Sequence, residues 1–162
     1  MAGTHEDYGR SHEVKSSSDQ TLNLAAYVEL LRSDIRTVKV AILTEVMGFN
    51  ETEDKAFWPI YREYDVEVSK LADERLAMIK EYAAAYSALT DDKSAALASK
   101  AIELESRRSA AKAQVYERVK AALGARQALR FLHVEHQLQL LIDLQVASSL
   151  PVAPPAGKGT TR

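Results

Sequence analysis

The chain has 162 residues, of which 46% are hydrophobic and 27% charged, with a formal net charge of −2 and no cysteine. That balance suits one globular domain. It excludes disulfides, zinc–thiolate sites, thiol nucleophiles and a thioether-linked haem, and it is not the charge of an obvious nucleic-acid binder.

The first 20 residues, MAGTHEDYGRSHEVKSSSDQ, lack the apolar core of a signal peptide. They are polar, with Gly3, Gly9 and three successive serines, and residues 1–18 read as a disordered leader. The end, PVAPPAGKGTTR, holds three of the four prolines and reads as a flexible tail over 151–162. One helical domain is expected over residues 19–150. No stretch reaches the ~18 apolar residues that a membrane span needs, so no integral membrane segment is expected.

Helix one begins after SSSDQ, with Ser18 or Asp19 as N-cap. Leu24, Val28, Leu31, Ile35, Val38 and Ile42 recur at steps of three and four, a coiled-coil-like seam. Gly48 stands where a C-terminal glycine should.

Helix two opens on a capping box. Asn50 is the N-cap and Glu53 lies three residues on; Phe49 holds the position from which a hydrophobic staple packs. Glu51, Glu53 and Asp54 complement the helix dipole in the first turn. The apolar stripe runs through Phe57, Tyr61, Tyr64, Val68, Leu71, Ala72, Ile79, Tyr82 and Tyr86, with Arg75 on the same line. A continuous helix over 51–87 is about 55 Å long, so an elongated molecule or a dimer is expected. Pro59 lies two turns inside, removes one amide and crowds the carbonyl of Lys55; a kink or break is expected at residues 55–59.

Helix three starts at the Thr90 cap, with Leu89 before it and Asp91 and Asp92 in the first turn. Its narrow seam is Leu97, Ala101, Leu104, Ala111, Val115 and Val119, and Gly124 breaks or bends the run. Helix four, about 125–147, places Phe131, Val134, Leu138, Leu141, Ile142 and Leu144 on its apolar positions, and Pro151 closes it. No strand-like alternation competes. The expected fold is all-α: four helices in an elongated antiparallel hairpin arrangement, the second kinked near Pro59.

Charge is unevenly spread. Residues 51–92 hold 11 acidic and 5 basic residues, a net of −6, and residues 107–130 hold 7 basic residues against Glu117, a net of +6. Either helices two and three pack side by side so that their flanks attract, or the basic segment meets an acidic partner. Nucleic acid is not expected as that partner, because Tyr116 is the one aromatic residue among the basic ones.

Candidate chemistry is sparse. His133 and His136 are three apart on helix four, a spacing at which two imidazoles can share a metal; Glu135 points about 100° away from His136. Two polar helix residues with no ligand are the plainer reading. There is no strained Ser elbow and no glycine-rich phosphate loop, so no catalytic residue and no cofactor is expected. Aromatic Phe57, Trp58, Tyr61 and Tyr64 are either core or an adaptable surface for partner proteins, and Phe57 and Trp58 face about 100° apart.

The combination of Phe57–Trp58–Pro59–Ile60–Tyr61, Asp73–Glu74–Arg75–Leu76, Leu89–Thr90, Phe131–Leu132–His133–Val134–Glu135 and Leu150–Pro151 resembles uncharacterised members of the Spy/CpxP-like periplasmic helical proteins. The two helix starts, FNETE at 49–53 and LTDDK at 89–93, resemble that group's paired L-T-x-x-Q motifs, with Glu53 and Lys93 in place of the Gln. The resemblance covers about residues 35–151. It implies periplasmic residence and a non-enzymatic binding role: an ATP-independent chaperone built as a four-helix antiparallel dimer, a restrainer of an envelope-stress kinase, or a metal sensor. The leading expectation is a homodimeric envelope-stress protein binding unfolded or partner proteins through Phe57, Trp58, Tyr61, Tyr64, Arg107, Arg108, Lys112 and Arg118. A metal-responsive sensor using His133 and His136, and a structural or assembly module, are the alternatives.

Overall fold

The computed structural model describes residues 37–156. The leader, the first-helix cap and the seam residues Leu24, Val28, Leu31 and Ile35 lie outside the described residues, as does the tail from 157 onward. Among the described residues there are four α-helices: α1, described over residues 37–47, α2 (Glu51–Ala85), α3 (Asp91–Leu123) and α4 (Ala125–Ser149), with a short 3-10 turn Tyr86–Ala88 after α2. No strand occurs among the described residues. The all-α, four-helix expectation holds.

The junctions are built by the residues that the spacing singles out. Gly48 follows α1 at φ +55°, where its lack of a Cβ costs nothing. Asn50 accepts from the Glu53 amide and Glu53 accepts from the Asn50 amide, a complete capping box. Phe49 packs on Phe57 with ring centroids 4.7 Å apart, one turn beyond Asp54, the usual staple position. Thr90 caps α3 through the Lys93 amide.

Pairs across the helices set their directions. Glu81 meets Lys93, Glu74 meets Lys100 and Arg107, and Glu63 meets Arg118, so α2 and α3 run antiparallel. Arg108 meets Asp143 and Lys112 meets His136, so α3 and α4 also run antiparallel. Phe57 packs on Phe131 and Arg75 pairs with Asp143, so α4 runs parallel to α2. Lys39 reaches Glu135 and Arg130 donates to the Val46 carbonyl, which sets α1 antiparallel to α4. The α3–α4 reversal takes a single residue, Gly124, at φ +87° and ψ 162°. At 35 and 33 residues, α2 and α3 are each about 50 Å long.

The main core lies at one end of the molecule, where all four helices meet. Phe57, Tyr61, Tyr64 and Phe131 interlock there in edge-on and tilted contacts, closed by Leu43, Met47, Val115, Val119 and Ala128. Edge-to-face rings satisfy their quadrupoles as well as burying area.

Of the kink or break expected at residues 55–59, the break does not occur: α2 runs through Pro59 as one helix. Both Pro59 and Lys55 are exposed, which puts the carbonyl orphaned by the missing amide on the solvent side, where its loss is least costly.

Candidate partner-binding surface

The residues proposed from sequence as a binding face are mostly interior or already paired. Phe57 is fully buried and Tyr61 and Tyr64 nearly so. Trp58 is half-buried and its indole N–H donates to Asp54. These aromatics are core, the plainer of the two sequence readings. Arg107 and Lys100 share Glu74, and Arg118 takes Glu63. Hydrogen bonding from Arg107 holds the Glu74 carboxyl below its ordinary value. The opposite charges of α2 and α3 therefore meet each other, as the side-by-side reading expects. Lys112 is half-buried and lies 3.5 Å from His136 Nδ1; burial, then Arg108, lowers its affinity for a proton.

Two polar clusters sit between the helices. In the first, Lys39 Nζ and the Tyr64 hydroxyl both donate to Glu135 Oε1, at 2.8 and 2.9 Å. Glu135 is fully buried, and its Oε2 has no hydrogen-bond partner in the structure. Lys39 also lies 5.9 Å from the Tyr61 ring centroid, within cation–π range. Burial, then the Glu135 charge, pushes the Tyr64 phenol far above its usual range, so it stays a donor. Sequence reasoning placed Glu135 only relative to the histidines. Its signal was its place in the series Ala128, Phe131, Glu135, Gln139 and Val146, all buried on one face of α4.

In the second cluster, Asp143 accepts from Arg75 at 2.7 Å and from both terminal nitrogens of Arg108 at 2.9 Å. Burial works against the Asp143 charge, but the two guanidinium groups outweigh it and hold the carboxyl below its ordinary value. Arg75, on the apolar line of α2, is thus a half-buried arginine with a carboxylate partner. The clusters tie α1, α2, α3 and α4 together, and every side chain in them is engaged in that work.

The outer face of α4 is different. Leu141 and Leu144, placed on the apolar seam by sequence, are 63% and 67% exposed. Leu129 and Leu140 are exposed as well, at 47% and 53%. At 100° per residue, Leu140 and Leu144 fall opposite the buried Ala128–Glu135–Gln139 line. His133 and His136 are exposed near the same stripe. Among the described residues no group of three His, Asp or Glu side chains is placed to hold a metal. Among the described residues, Leu140, Leu141 and Leu144 thus form a cluster of large apolar side chains that stay more than half exposed, with Leu129 about three turns away, a pattern that marks interaction surfaces.

Compared with protein-family models, with curated proteins and with solved structures, the chain matches none of them. No helix among the described residues is long and apolar enough to cross a membrane.

Proposed function

We propose that this protein is a non-enzymatic helical binding module that holds apolar segments of unfolded or partner proteins, in the manner of a Spy-like, ATP-independent chaperone. The observation that carries this reading is the exposed leucine row of α4, Leu140, Leu141 and Leu144, with Leu129 about three turns away, on a scaffold whose inter-helix charges Lys39, Glu135, Arg75, Arg108 and Asp143 are paired with one another. The row replaces the aromatic stripe of α2 as the contact surface. A second copy docking there would give the homodimer. Periplasmic residence and a part in envelope stress follow from the sequence resemblance over residues 35–151.

Aggregation of a thermally or chemically unfolded client, followed by light scattering, tests the reading. Equimolar protein is expected to suppress the scattering without nucleotide, and no suppression at that ratio counts against it. The two exposed imidazoles of His133 and His136 support a second reading, a metal-responsive sensor, in which further ligands come from outside the described chain. Calorimetry with Zn²⁺, Ni²⁺ and Cu²⁺ on the native chain and on His133→Ala separates the two, since only the sensor has a micromolar site that the substitution removes.

A further inference from the structure

Past α4 the chain turns extended at Leu150, φ −101° and ψ 125°, and runs on along the distal end of α2. Two tyrosines one helical turn apart receive it. The Tyr82 hydroxyl donates to the Pro151 carbonyl at 2.6 Å, and the Tyr86 hydroxyl donates to the Val152 carbonyl at 3.0 Å. Their rings stand edge to face, with centroids 5.8 Å apart. Beside them lies an apolar groove of about 290 Å³, lined by Ile79, Tyr82, Leu89 and Leu97 and walled on one side by Leu150 and Ala153 of the same C-terminal run.

The segment that lies there is Pro151–Val152–Ala153–Pro154–Pro155, a P-x-x-P sequence. Such a sequence favours the polyproline II helix, which makes no internal hydrogen bonds and presents its carbonyls outward. Three of its five residues are prolines without an amide proton, so recognition of its backbone falls on donors that can reach carbonyls. Paired aromatic hydroxyls beside an apolar groove supply them, the arrangement by which proline-rich peptides are read in general. The segment is held lightly: residues 151–156 are all exposed, and Val152 is 88% exposed.

We propose that the Tyr82–Tyr86 ledge, beside this groove, forms a recognition site for P-x-x-P segments of partner proteins, occupied in cis through the Pro151 and Val152 carbonyls and open to a partner's segment once these are displaced. The site is separate from the leucine row of α4 and stands or falls independently of it. Covalent attachment gives the cis segment an effective concentration in the millimolar range, so a free peptide competes at a disadvantage against the native chain.

Fluorescence polarisation with a labelled peptide of sequence SLPVAPPAG tests this on the full chain. Pro154→Gly with Pro155→Gly loosens the cis segment by enlarging its unbound ensemble, and is expected to tighten peptide binding about tenfold relative to the native chain. Adding Tyr82→Phe and Tyr86→Phe, with helix content checked by circular dichroism, is expected to remove that binding while the fold is retained. A peptide with its three prolines replaced by alanine is expected not to bind. The proposal is overturned if the loosened chain fails to bind the peptide at millimolar concentration, or if the phenylalanine variants bind it equally well.

Discussion

Glu135 shows how much a single residue can decide. It is fully buried and shares one oxygen between Lys39 and Tyr64. Such a pair repays its desolvation only while both partners are present. Glu135→Ala strands the Lys39 ammonium inside the molecule, and chemical denaturation should show a loss of about 3–5 kcal/mol. Lys39→Met with Glu135→Gln removes both charges, keeps an acceptor for the Tyr64 hydroxyl, and should restore most of the lost stability. A double variant as unstable as the single one would show that the cluster itself, and not the stranded charge, holds the helices. Asp143 adds a pH dependence. Its carboxyl is held below the ordinary value of about 3.9 for Asp by Arg108 and Arg75, against burial. A depressed carboxylate adds stability that is fully present above its unfolded value and is lost as pH falls through the folded one. The stability difference between the native chain and Asp143→Asn should thus be flat from pH 8 to pH 5 and should shrink below about pH 4. A difference that shrinks between pH 8 and pH 6 would contradict this account.

At the scale of the element, the starts of the helices were the most legible feature, because capping is local chemistry. Asn50, Glu53 and Thr90 do at their helix starts what their spacing implies. Pro59 was harder to read: its effect depends on which side of α2 it faces, and that is set by the packing of Phe57 and Tyr61 inward. Gly124 carries the α3–α4 reversal alone. Its φ of +87° with ψ of 162° lies in a region that glycine alone occupies at low cost. A Cβ there meets nothing within 4 Å, so the cost of Gly124→Ala is conformational rather than steric. It should lower stability by about 1–3 kcal/mol in thermal or denaturant unfolding. Unchanged stability would mean that the junction takes another conformation in solution.

At the scale of the molecule, the acidic second helix and the basic third pair along the hairpin through Glu63, Glu74 and Glu81. The sequence held both that outcome and an acidic external partner, because charge blocks state an attraction without naming its object. The aromatic stripe was ambiguous for a similar reason: periodicity marks a face as apolar, but whether it is covered depends on tertiary neighbours. Helix four was misread in one respect. Leu141 and Leu144 fit an apolar seam, yet the buried line takes Glu135 and Gln139 instead. A charged core residue paired with Lys39, 96 positions away, has no local signature. The leucines left outside are what the proposed binding role rests on.

The most direct test compares the native chain with Leu140→Lys plus Leu144→Lys in client aggregation assays, at equal helix content and melting temperature. Both side chains are more than half exposed, so the substitutions should leave the fold within about 0.5 kcal/mol of the native stability. The account predicts that suppression of aggregation falls at least several-fold in the variant. Suppression by the native chain that persists undiminished in a folded variant would contradict it, and would move the binding surface away from α4.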